Sequence, residues 1–198
     1  MDISVPQSPP LAALAREILA FWFGPTPHVA RDTWFRKDDA FDREIRERFG
    51  AALAAGIAGA FGEWCTTAHG SLARVVLLDQ FTRNAFRDTP RAFAGDRRAL
   101  ETAIAVVDAG RDAPLDHFER WFLYMPFQHA EDPAIQQRSI ALFTRLANEA
   151  ADPALLGWAE KHAAIIRRFG RYPHRNAILG RASTPEEIAF LAEPGSRF

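Results

Sequence analysis

The sequence predicts an all-α fold of about eight to nine helices stacked as antiparallel pairs, with no sheet. Three observations point there. Apolar residues recur at helical spacing along most of the chain, helix start and stop signals punctuate it at short intervals, and no window alternates β-branched with polar residues. The breakers leave helices of roughly 12–20 residues with short links, and short links make sequential helices antiparallel neighbours.

Residues 1–9, rich in Pro and Ser, read as a flexible tail ahead of one helical domain over 10–198. The first helix covers about 11–23, with Leu11, Leu14, Ile18, Phe21 and Trp22 at helical spacing, and GPTP at 24–27 ends it. The second covers about 39–55, where Phe41, Ile45, Phe49 and Leu53 recur every fourth residue before Gly56 and Gly59 loosen the chain. The third takes 67–86 and the fourth 94–109; DAPLD at 112–116 introduces a fifth that runs to His129. Asp132-Pro133 and Asp152-Pro153 each set an N-cap acid before a Pro at the first helical position, opening helices over about 133–149 and 153–169. Gly170 stands where a C-cap glycine belongs, and Thr184-Pro185-Glu186-Glu187 is a capping box for the last helix.

Composition supports a packed interior. Of 198 residues 48% are hydrophobic, and 16 Phe and 5 Trp supply bulk. A formal net charge of −1 argues against a coat for nucleic acid or an anionic membrane. Cys65 stands alone, which excludes an intrachain disulfide and a cysteine zinc site. The opening MDISVPQSPPL lacks the basic-then-apolar order of a signal peptide, and the apolar stretch from Trp121 to Phe127 is too short to span a bilayer. A cytoplasmic protein with no membrane partner is expected. Nearly all basic residues are Arg, the lysines being Lys37 and Lys161; a guanidinium grips a carboxylate or phosphate with two bonds.

Some helices break the one-stripe rule. In GSLARVVLLDQFTRNAFR (70–87), Asp79 and Arg83 fall on the arc of Leu72, Val75, Val76 and Phe86, while Leu77, Leu78 and Phe81 make the opposite side apolar too. A buried carboxylate and guanidinium four residues apart have to pair. The pair is either a structural ion pair or part of a cleft where Arg83, Asn84 and Gln80 offer donors to an anion. In the fifth helix FERWFLYMPFQHAED (118–132) has no polar face; Pro126 should kink it and free a carbonyl near Phe122, and His129, Glu131 and Asp132 follow directly. Asp132 reads as an N-cap, while Glu131 is either a first-turn acid or a site group and His129 either a satisfied boundary histidine or a site group. His162 lies on the apolar stripe of the seventh helix, with a satisfied core histidine as its structural explanation. Beyond it, Arg167, Arg168, Arg171, His174, Arg175 and Arg181 crowd one irregular segment, which reads as an anion-binding concavity or as a solvated basic turn. There is no GxGxxG, P-loop, GxSxG or HExxH, and the spacing of His129, Glu131 and Asp132 matches no standard metal site, so no metal is assigned.

Five segments resemble the family of bacterial domains of unknown function 924: ILAFWFG (18–24), WFRKDDAFD (34–42), LLDQFTRNAFRDTPRAFAGD (77–96), RWFLYMPFQHAED (120–132) and HAAIIRRFGRYPHRNAILGRASTPEE (162–187). The resemblance covers about residues 11–192. It implies an all-α, tetratricopeptide-like helical fold and no particular activity. Where the family usually carries Pro this chain has Thr82, which should relax a helix kink.

Three function classes follow. The first is an internal polar cleft for a small carboxylate or phosphate, with Gln80, Arg83, Asn84, Arg171, His174 and Arg175 as binding groups. His129 or His162 would be the acid or base, with Asp79 and Glu131 beside them. The second is a tetratricopeptide-like module for a protein partner, with Trp22, Trp34 and Phe35 as surface anchors. The third, nucleic-acid binding through RRFGRYPHR (167–175), sits poorly with the net charge.

Overall fold

The computed structural model describes residues 12–196. All regular structure among them is helical. We number the main helices α1 (Ala13–Phe23), α2 (Asp39–Ala58), α3 (68–85), α4 (Asp96–Asp108), α5 (His117–His129), α6 (Pro133–Ala150), α7 (Pro153–Phe169) and α8 (Pro185–Leu191). Single 3₁₀ turns punctuate the links. The expected tail at 1–9 lies outside the described residues.

The local signals act as their chemistry requires. Asp132 accepts from the amides of Ala134 and Ile135, Asp152 from that of Ala154, and both precede Pro at the first helical position. Thr184 and Glu187 close the capping box of α8. A second box, Asp116 with Glu119, opens α5. Gly170, left-handed at φ 69°, ends α7. Helix α2 runs past its expected end: Gly56 is a helical residue packed on Leu77 and Leu78, and left-handed Gly59 is the stop.

Helices α3 and α5 lie at the centre. α3 packs on α1, α4 and α5, α5 meets α6 and α7, and the two-residue link 151–152 folds α7 back along α6. One apolar cluster runs from Ala15 to Ala159; a smaller one holds Ile165, Ile166 and Tyr172, with Phe169 and Phe190 against it. Trp22 and Trp34 belong to the large cluster, their rings 6.4 Å apart and both edge-on to Phe122. This corrects their expected role as surface anchors: an aromatic girdle of α1, α5 and the 3₁₀ turn Asp32–Trp34 consumes them. Phe35 alone of the three is exposed, and it stacks on Trp121.

α3 is not a regular helix. Residues Val76–Phe81 form a π-helical segment inside it. The Thr82 hydroxyl donates to the Leu78 carbonyl at 2.8 Å. The helix is thus irregular with Thr at position 82, where that hydroxyl and the approach of another chain segment both meet the Leu78 carbonyl. Gly95, which precedes α4, lies so close that a Cβ there would sit 2.1 Å from the Leu78 carbonyl oxygen. Only glycine lets α4 start against this carbonyl, and that contact places Asp96 beside Arg83. Gly95→Ala should destabilise the fold by about 2 kcal/mol or more through overpacking; urea unfolding of the variant measures it, and an unchanged midpoint would mean that the backbone gives way freely.

Candidate functional site

The π segment delivers Asp79 into the interior with no exposed side-chain surface. Its carboxylate is saturated. Oδ1 meets His129 Nδ1 at 2.7 Å and Arg83 Nη1 at 3.1 Å, and Oδ2 accepts from Gln80 Nε2 at 2.6 Å. Arg83 also donates to the Asp79 carbonyl at 2.8 Å and grips Asp96 with two bonds, at 2.7 and 3.0 Å. Burial alone would raise the Asp79 pKa; Arg83 and His129 outweigh it and hold it at about 2. The carboxylate is thus ionised, so His129 Nδ1 must carry the proton it donates, and His129 Nε2 keeps a lone pair.

His129 is the last residue of α5, where carbonyls lack helical partners. Gln136 of α6 and Tyr172 supply them. The Gln136 amide lies 2.8 Å from both the Gln128 and Ala130 oxygens, and the Tyr172 hydroxyl donates to the Gln128 oxygen. The same Gln136 amide is 3.0 Å from the Tyr172 hydroxyl. One side chain thereby fixes both the end of α5 and the segment after α7. The helix continues through Pro126 to that end.

From α7 comes His162, which lies between Ala159, at the end of the large apolar cluster, and Ile165, at the start of the small one. Its Nδ1 donates to the Trp158 carbonyl at 2.8 Å, and its ring centre stands 6.3 Å from that of His129. Tyr172 and His174 follow, with ring centres 5.8 Å (His162 to Tyr172) and 5.6 Å (Tyr172 to His174) apart. Burial, reinforced by neighbouring positive charge, lowers the pKa of His162 to about 3 and that of His174 to about 4, and lowers that of His129. All three imidazoles are therefore neutral at neutral pH.

Arg175 completes the cluster. Its guanidinium lies between two rings, 4.8 Å from the centre of Phe93 and 4.6 Å from that of Tyr172. Its one ion-pair contact is long, 3.5 Å to Asp96 Oδ2, and its buried Nε has no hydrogen-bond partner among the described residues. Burial and the repulsion of Arg83 lower its pKa.

Asp79, Gln80, Arg83, His129, His162, His174 and Arg175 thus gather where α3, α5, α7 and the segment after α7 meet. Glu131 borders the group, but its oxygens are taken by Arg181, at 2.6 and 2.9 Å, and by the Tyr172 amide at 2.8 Å. Arg181 holds its pKa down against burial. Two expected members lie elsewhere. Asn84 points to the other side of α3 and donates to Asp42 at 2.8 Å, alongside Arg87. Arg171 turns outward to Glu187, at 2.7 and 2.8 Å, because Gly170 reverses the chain before it. Helical spacing misses Asp96, Phe93 and Tyr172; the glycine before Asp96 is the one available hint.

The sequence model of the family described as "Bacterial protein of unknown function (DUF924)" matches residues 18–195. The chain belongs to the DUF924 family. A solved structure of a protein of unknown function from Agrobacterium tumefaciens is 42% identical, with a TM-score of 0.81 over 91% of this chain and 97% of that one. No functionally curated protein matches. In this DUF924 chain the segments 77–96, 120–132 and 162–187 are the ones that build the cluster.

The neutral histidines tie stability to pH. In the unfolded chain they titrate near 6.5, in the folded chain at about 3 for His162 and about 4 for His174. Below 6.5 the unfolded chain binds more protons, so stability is full above that value and falls as pH drops toward 4. Asp79 extends the loss below its ordinary 3.8 toward 2. Urea unfolding at a series of pH values should show the midpoint falling already below about pH 6.5; a midpoint flat to pH 5 would contradict neutral burial.

Proposed function

We propose that the cluster is a site for a small carboxylate or phosphate compound, with His129 as the acid–base group. The observation that carries this is Arg175: a buried guanidinium stacked between two rings, with a buried Nε that has no hydrogen-bond partner among the described residues. Leaving such a donor unmet costs about 1–3 kcal/mol, more for a charged group, and a bound anion would remove that cost. Arg83 is committed to Asp79 and Asp96, so Arg175 is the gripping residue and Arg83 the scaffold.

Asp79 orients His129 through Nδ1, which leaves Nε2 as a proton acceptor and lets the buried carboxylate stabilise the imidazolium once it forms. The charges support the assignment. Arg83 and Arg175 balance Asp79 and Asp96, and the histidines are neutral. An added anion leaves the group one negative charge in excess, which a proton on an imidazole offsets. Binding therefore takes up a proton, and affinity rises as pH falls from neutrality.

A thermal-shift screen against organic acids, phosphorylated metabolites and inorganic phosphate tests this reading. A ligand at one hundred times its Kd adds about 2.7 kcal/mol. The shift should vanish in Arg175→Ala and persist in Arg171→Ala, whose guanidinium is bound to Glu187. Silence across the panel, or an equal shift in Arg175→Ala, would remove the proposal.

A further inference from the structure

We infer that His28, Asp116 and Glu119, with His69 at their edge, form a binding site for a divalent first-row transition metal where α5 begins. The argument starts from how this protein treats its buried acids. Asp42 is paired with Arg87, Asp79 with Arg83, Asp112 with Arg145 and Glu187 with Arg171, at distances between 2.5 and 3.1 Å. Glu119 is as buried as these, yet among the described residues no Arg or Lys pairs with it. It meets His69 Nε2 at 3.4 Å and the backbone amide of Asp116 at 3.0 Å. Asp116 likewise faces an imidazole, His28 Nδ1, at 2.6 Å. Two carboxylates three residues apart are thus met by histidines and by no fixed cation.

The capping box gives these carboxylates their aim. Asp116 Oδ1 accepts from the Glu119 amide and Glu119 Oε2 from the Asp116 amide, so one oxygen of each is anchored to backbone and the other is left over. The leftover pair, Asp116 Oδ2 and Glu119 Oε1, are the oxygens that face the imidazoles. Backbone anchoring of the second oxygen is how outer-shell contacts orient metal-binding carboxylates. The ligand atoms of His28, Asp116 and Glu119 lie within 4.8 Å of one another. A four-coordinate ion with bonds of about 2.0–2.2 Å needs its donors roughly 3.4 Å apart, within reach of small side-chain rotations. His69, half-exposed and 3.4 Å from Glu119 Oε1, stands outside that 4.8 Å group, where a side-chain rotation would bring it in as a further ligand. The amide end of α5 opposes a cation with about half a positive charge, against two full negative charges from the side chains. Imidazole and carboxylate together suit Zn²⁺, Co²⁺, Mn²⁺ or Fe²⁺ over Ca²⁺, whose ligands are oxygens.

The test is a titration of the full chain, first dialysed against chelator, with Zn²⁺ by calorimetry and with Co²⁺ by visible absorption. One ion per chain is expected, with cobalt bands of a low-coordinate nitrogen–oxygen site. His28→Ala and Glu119→Gln should each weaken binding by about tenfold or more, in line with loss of a ligand. Glutamine still serves a capping box, so an unchanged unfolding midpoint for Glu119→Gln separates loss of the ligand from loss of the fold. His117→Ala, a histidine beside the box and outside the ligand set, should bind as the parent does. No Zn²⁺ binding, or equal binding by His28→Ala and Glu119→Gln, overturns the inference; the latter would move the ion elsewhere, such as the histidines around His129.

Discussion

A carboxylate with no exposed surface survives as an ion only when every oxygen has donors, and Asp79 dictates much of what surrounds it. Three side chains from two helices serve it, and each is engaged a second time. Arg83 carries the charge on to Asp96, His129 ends α5, and Gln80 sits with its amide 3.4 Å from Met125 Sδ of α5. Removing one partner from such a pair costs about 3–5 kcal/mol. The π segment is the backbone half of the same constraint. It turns Asp79 inward at the point where Thr82 and Gly95 close on the Leu78 carbonyl.

Helix positions were legible because their signals are local. An acid before Pro, a capping box and a left-handed glycine each act within one turn, so 133–150 and 153–169 could be placed closely from residue order. The buried Asp79–Arg83 pair was legible for a related reason: helical periodicity shows when a charge stands on an apolar face. The π segment was not, since periodicity assumes the very regularity that fails there. Partners remote in sequence were also invisible. Nothing in order or spacing joins Gln136 to Tyr172 or Glu131 to Arg181. Asn84 and Arg171 were drawn into the cluster because they neighbour Arg83 and His174 in the chain, and the helix face of one and the turn at Gly170 send them away. Trp22 and Trp34 looked like anchors by size alone; burial depends on what α5 brings against them.

Arginine usage gains a structural meaning from the ion pairs. Four buried acids are paired with a guanidinium, whose planar fork suits two-point contacts. Arg175 is the most deeply buried of three arginines, with Arg74 and Arg120, whose buried Nε has no hydrogen-bond partner among the described residues, and Glu119 is a buried carboxylate without a fixed cation.

The cluster around Asp79 is assembled from two portions of the chain. Asp79, Arg83 and Asp96 precede the link at 109–116, while His129, His162, His174 and Arg175 follow it. Neither portion holds a charge-balanced set by itself: the first carries both acids, the second one cation and three neutral rings. An occupant bridging Arg175 and His129 would therefore act as a clasp across a seam. It would resist separation of the two portions more than it would stiffen either one. Amide exchange slowed jointly in α3 and α7, with little change in the α6–α7 hairpin itself, would be the signature of such a clasp.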